Sequence, residues 1–159
     1  MAFAKTGTGY VEPNHLSGPR TGQVYAQLTP NSAIDSLENG QFVKYDVKNG
    51  EINFTGSGEW MMVYCEVKTY KDQETAADVV AYAKGKTPIP RVVKTNVGDI
   101  YTTNEVADGT AAGNKLQPAA ATGLLTKADT PATGVVTFEV VKETTLPDGR
   151  PGVKLVRIA

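Results

Sequence analysis

The 159-residue chain holds one Cys, one His and one Trp. One Cys cannot form an internal disulfide, and with a single His beside it the soft ligands are too few for a tetrahedral zinc shell. Thiol chemistry would rest on Cys65 alone, and imidazole chemistry on His15 alone. No apolar run approaches the roughly 18 residues of a membrane-spanning helix. An excess of either charge is also missing: 16 basic residues stand against 17 acidic ones, net −1. Nucleic acid and anionic membranes both call for a basic face, so neither is an expected partner. The opening residues 1–7 carry no apolar signal core, which leads us to expect synthesis in a cytoplasm. Loops of the Asp-x-Asp-x-Asp calcium type are absent. The short Gly7-Thr8-Gly9 and Gly56-Ser57-Gly58 stretches do not open a helix around a phosphate. No metal or cofactor is expected.

What remains is the composition of a folded protein, 40% hydrophobic and 21% charged, with 16 Gly and 9 Pro. A chain of this length buries about two-thirds of its unfolded surface, enough for a core without staples.

Residues 1–22 read as an extended N-terminal arm. Gly7, Gly9, Pro13, Gly18, Pro19 and Gly22 interrupt every regular element, and Phe3, Tyr10, Val11 and Leu16 are too sparse for a core. Such an arm either frays or orders only against a neighbour, and its removal would leave the stability of the isolated protein unchanged. Residues 23–159 read as a single β domain. Val24, Ala26 and Leu28 alternate onto one face. Asn39-Gly40 and Asn49-Gly50 mark tight reversals around the strand segment Phe42–Asp46. The run from Trp60 to Val67 is the longest apolar one and rich in aromatic and β-branched residues, as in a central strand buried on both faces. Pro88 and Pro90 restrict the next segment to an edge or a strand start. Gly98–Asn104 holds another short strand. Residues 107–133, rich in Ala, Gly and Thr, read as long loops around one or two short strands. A hairpin over 135–158 turns at Pro147-Asp148-Gly149.

One segment departs from the β pattern. Over about 73–84, Ala76, Val79, Val80 and Ala83 share a helical face, with Asp72 placed to cap and Gly85 to stop the helix. The expected class is therefore mainly β, a small barrel or sandwich of about eight to ten short strands with one short helix.

The residue types that carry chemistry have ordinary explanations. His15 lies in the arm, without the rigid support a general base needs, and reads as solvated or interfacial. Cys65 reads as a buried, inert thiol inside a strand. Asp46, Glu66, Asp99, Glu105 and Glu139 are acids by type, but no spacing pairs any two across a cleft. Trp60 and Tyr101 are candidates for stacking on a sugar, although packing is their commoner role. No residue is expected to be catalytic, and no enzyme is expected.

Ile34-Asp35-Ser36-Leu37-Glu38-Asn39-Gly40-Gln41-Phe42-Val43-Lys44-Tyr45-Asp46 resembles the segment leading into the β-core of capsid decoration, or cement, proteins of tailed bacteriophages. Pro90-Arg91-Val92 and Asn96-Val97-Gly98-Asp99-Ile100-Tyr101-Thr102-Thr103-Asn104 are similar to segments of the same structural proteins. The resemblance spans residues 23–104, and the Ala-rich stretch 107–133 lies outside it. It implies a virion protein that binds the outer surface of an assembled capsid and stabilises it. The implied partners are the major capsid protein and neighbouring copies of the same chain, in a homo-oligomeric arrangement on the capsid. In that picture Phe3, Tyr10, His15 and Leu16 of the arm are the partner-binding residues. Two alternatives come from other classes. One is a β-sandwich module that binds a host-surface glycan or protein; the other is a small hydrolase with a carboxylate pair.

Overall fold

The fold comes from a computed structural model, which describes residues 3–65, 80–86 and 89–159. Its strands begin with β1 (Val11–His15), β2 (Val24–Tyr25), β3 (Thr29–Pro30), β4 (Ser36–Leu37) and β5 (Phe42–Asp46). Next come β6 (Glu51–Asn53), β7 (Glu59–Val63), β8 (Tyr82–Ala83) and β9 (Val92–Val93). The last are β10 (Ile100–Thr103), β11 (Lys115–Pro118), β12 (Leu125–Lys127), β13 (Phe138–Thr145) and β14 (Pro151–Arg157). A single turn of helix, α1 (Ser17–Arg20), lies between β1 and β2.

Two six-stranded sheets result. The first runs β1-β10-β14-β13-β11-β12, the second β2-β9-β7-β5-β6-β3, and β4 and β8 form a separate pair. The molecule is therefore mainly β with sandwich-like layers, as its composition and turn signals predict. Strand pairs are antiparallel except for β3 with β6.

Period-two alternation along β5 and β7 builds the layers. Phe42 sits opposite Met62, and Val43 opposite Met61. Phe42 and Met62 enter the core shared with the first sheet, among Tyr101, Leu116, Phe138 and Leu155. Val43, Met61 and Val63 point the other way, into a second core with Leu37, Ile52 and Tyr82. Strand β7 is thus apolar on both faces because the β4–β8 pair covers the side turned from the first sheet. Gly123 joins the two sheets: its carbonyl accepts the Phe42 N–H at 2.8 Å. Its φ is +65°, and a Cβ there would lie 1.6 Å from the Phe42 carbonyl oxygen, so no other residue fits.

Several expectations need correction. Residues 3–22 are not an arm but part of the domain. Strand β1 pairs antiparallel with β10, and Phe3, Val11 and Leu16 are buried in the first core. The Phe3 N–H donates to the Thr110 carbonyl at 3.0 Å, and the Phe3 carbonyl accepts from Gly109 at 2.8 Å. The glycines that break regular structure here permit close approach. A Cβ on Gly9 would stand 2.4 Å from the Asn39 carbonyl oxygen.

Of the expected helix over 73–84, residues 73–79 lie outside the described residues. The remainder is not helical: Tyr82 and Ala83 pair with Leu37 and Ser36 as strand. Burial of Ala81 and Tyr82 in the second core outweighs a local helical preference worth only tenths of a kcal/mol per residue. Strand β2 lies at a sheet edge, and Val24 remains 37% exposed, so the expected inward face of Val24, Ala26 and Leu28 does not form. Strand β9 lies inside the second sheet, with Pro90 just ahead of its ladder. Glu66 and Val67, read as the end of the central strand, lie outside the described residues. The hairpin and both Asn-Gly turns form as expected, with Gly40 and Gly50 at positive φ.

Candidate functional site

The acids singled out by type separate once folded. Asp46 is a turn organiser: it accepts the Asn49 backbone N–H at 3.1 Å and the Asn49 side-chain amide at 2.8 Å. Those bonds, the backbone one foremost, hold its carboxyl below the usual range. Asp99 accepts from the Ser17 N–H, the Ser17 hydroxyl and the Asn96 N–H, tying α1 to the turn before β10. Glu139 stands half-buried on β13, and Glu66 lies outside the described residues.

Glu105 meets a second carboxylate, that of Glu38, across a shared lysine. Lys5 Nζ contacts Glu38 Oε2 and lies 2.6 Å from Glu105 Oε2. Glu38 Oε2 also accepts the Gly9 N–H at 2.8 Å. Burial, reinforced by Glu38 and opposed by Lys5, pushes the Glu105 carboxyl up to about 7. Burial also works against charge on Glu38 and Lys5, but their mutual pairing overcomes it. Glu38 is held below and Lys5 above the ordinary value. The cluster fastens the N-terminal segment to the domain. No spacing in the sequence pointed to Glu38 or Lys5, since residues 33 positions apart met only through tertiary packing.

The other candidates are structural. Burial pushes the Cys65 thiol up, and its sulfur accepts the Arg91 N–H at 3.3 Å, so it is a poor nucleophile. Tyr101 is fully buried against Phe138, rings edge-on at 5.6 Å, which rules it out as a surface sugar platform. Trp60 packs on the first core, with Lys44 Nζ 5.2 Å from its ring centroid. Among the described residues no group of three or more His, Cys, Asp or Glu is arranged to hold a metal.

The four predicted partner-binding residues fall in different places. Phe3 and Leu16 are buried in the chain's own core, each 4% exposed, and are not free anchors. His15 is exposed at the end of β1, opposite Ile100. Tyr10 is half-buried under the Arg150 guanidinium, 6.0 Å from its ring.

Tyr10 and Leu16 do line one feature together with residues the sequence did not single out. Two adjoining depressions flank β1 and share Pro13 and Tyr64. The first, of about 360 Å3, is lined by Leu16, Pro19, Val24 and Val93, with Arg20 and Arg91 as its charged residues. The second, of about 280 Å3, is lined by Tyr10, Val11, Glu12, Asn39 and Cys65. Together they separate the outer strand of the first sheet from the β2 end of the second. No strand pairs with the outer side of β1 or β2 among the described residues. Pro13 lacks an N–H and sits where an outer strand tolerates it. The feature is a mostly apolar groove between two sheet edges, with two guanidinium groups and, among the described residues, no acid in its first half.

No family model, curated protein or solved structure matches this chain.

Proposed function

We propose that this chain is a structural virion protein that attaches to the outer surface of an assembled phage capsid and stabilises it. Its partners are the major capsid protein and neighbouring copies of itself, and it works by binding rather than by turnover. One observation carries the reading: the groove beside β1, where Leu16, Pro19, Val24, Tyr64 and Val93 form an apolar strip beside Arg20 and Arg91. An apolar centre flanked by Arg is the composition of a binding hot spot. The resemblance of residues 23–104 to decoration proteins supports the same reading. Binding only to the assembled shell would stabilise it by mass action, about 2.7 kcal/mol per site at a hundredfold excess over Kd. A near-neutral net charge lets many copies pack closely.

The test uses undecorated expanded shells of the phage that encodes the chain. Added protein should sediment with them, saturate at a fixed ratio to the major head subunit and raise the temperature of shell rupture. Binding at a few copies per particle, or only at tails, would overturn the proposal.

A further inference from the structure

At the opposite edge of the second sheet from β2, beside β3 and β6, lies an open cavity of about 560 Å3. Its walls come from the segment between β3 and β4, from Gln41 just ahead of β5, from β6 and the loop that follows, and from the loop joining β11 to β12. The polar lining is dominated by side chains with planar amide or carboxylate ends: Asn31, Asp35, Gln41, Glu51 and Asn53. Phe54, half-buried, supplies an aromatic wall. We propose that this cavity is a binding site for a neutral saccharide.

The polar groups are held in place by one another and by the backbone. Glu51 accepts the Asn31 amide on Oε2 at 2.9 Å and the Asn53 amide on Oε1 at 3.0 Å. Asn53 Oδ1 in turn accepts the Gly56 N–H at 2.8 Å, and Asn31 Oδ1 accepts the Ala33 N–H at 3.0 Å. Gln41 is pinned at both ends, donating to the Thr122 carbonyl at 2.7 Å and accepting the Glu38 N–H at 3.1 Å. Asn31, Gln41, Glu51 and Asn53 therefore keep fixed orientations, and their oxygens retain a second lone pair for a ligand. Such preorganisation removes the ordering cost that otherwise weakens binding by small polar contacts.

Charge then selects the ligand. Among the described residues the lining contains no Lys or Arg, so phosphate and carboxylate ligands find no counter-charge there. Asp35 faces Lys84 at 3.7 Å, which offsets its charge, while Glu51, the other carboxylate of the lining, has no cation partner among the described residues. A site made of amides around one carboxylate is built to accept hydrogen bonds from hydroxyls. Vicinal hydroxyls match planar two-atom acceptors, and the C–H face of a pyranose matches the ring of Phe54. The volume lies within the range of small-ligand pockets. The inference is independent of shell attachment, because the groove beside β1 and this cavity lie at opposite edges of the sheet.

Nuclear magnetic resonance of labelled protein tests it. The probes are cellobiose, maltose, lactose and chitobiose, with N-acetylneuraminic acid and spermidine as charged comparisons. At least one neutral probe should shift the amide signals of residues 31–36 and 51–55, saturating near about 1 mM. Thr55→Trp changes an exposed residue at the mouth and should abolish the shifts without altering the melting temperature. Glu51→Gln should weaken binding by about tenfold, the loss expected for one charge-assisted hydrogen bond. Failure of every neutral probe to move these signals would overturn the proposal. So would stronger binding of spermidine or N-acetylneuraminic acid, or shifts that survive Thr55→Trp. Shell sedimentation of Thr55→Trp should match the unchanged protein, which keeps this result separate from the attachment reading.

Discussion

Arg150, in the turn between β13 and β14, donates from Nη1 to the Thr8 carbonyl at 2.6 Å, across 142 positions of sequence. The same nitrogen reaches the Thr6 carbonyl at 2.9 Å. Asn104 donates to both carbonyls as well, and its Oδ1 accepts the Tyr10 N–H at 2.7 Å. A glycine-rich segment with no ladder of its own is thus held by side chains from β10 and from the C-terminal hairpin.

Removal of residues 1–12 should therefore destabilise the isolated protein. Phe3→Ala alone should cost about 3 to 5 kcal/mol, the range for emptying a buried aromatic site. Chemical denaturation followed by circular dichroism measures both. An unchanged midpoint for the deletion would restore the arm.

Val63→Asp should prevent folding. Val63 is fully buried in the second core, and a carboxylate there has no partner among the residues that surround it. Soluble, cooperatively folding protein from this variant would contradict the placement of β7.

Stability should depend on pH through Glu105. Its folded carboxyl titrates near about 7 and the unfolded one near 4.5, so the folded state holds the proton more tightly. The resulting stabilisation is complete below the unfolded value and is lost as pH rises through about 7. Its size is about 2 kcal/mol after allowance for pairing with Lys5. Glu38 acts in the opposite sense: its lowered value stabilises above its unfolded pKa and is lost as pH falls. A thermal midpoint that peaks near the unfolded value of 4.5 and declines as pH rises to about 7 is expected, with Glu105→Gln flattening that decline. A wild-type midpoint that rises steadily to pH 8 would contradict this assignment.

Arg20→Glu with Arg91→Glu should weaken sedimentation with shells by at least about tenfold while leaving the melting temperature unchanged, since neither guanidinium is paired with a described acid. Equal binding by the double variant would move the attachment surface away from the groove.

Elements carried by local pattern were legible in advance. The hairpin over 135–158, the reversals at Asn39-Gly40 and Asn49-Gly50, and the two-faced strand through Met61–Val63 follow from alternation and turn chemistry alone. The N-terminal segment misled because Gly7, Gly9 and Pro13 carry the signature of a chain that cannot form a ladder. In the fold, Gly9 instead permits close approach to Asn39. Tyr82 misled for a related reason. The helical spacing of Ala76, Val79, Val80 and Ala83 around it is a weak local preference, whereas its contact with Leu37 belongs to the second core.

The candidate site was barely legible. Tyr10 and Leu16 do line the groove, but Pro19, Val24, Tyr64, Arg20 and Arg91 join them only because β1, β2 and β9 end beside one another. The saccharide cavity gave no local signal either, since its walls come from four separated stretches.

Sequence alone determined the class of this protein: alternation, turn residues and the scarcity of Cys and His act over a few positions and survive any arrangement of the strands. Tertiary structure decided which surfaces are free. Pairing of β1 with β10 and closure of the two sheets depend on contacts far apart along the chain, where burial and geometry outweigh local preference.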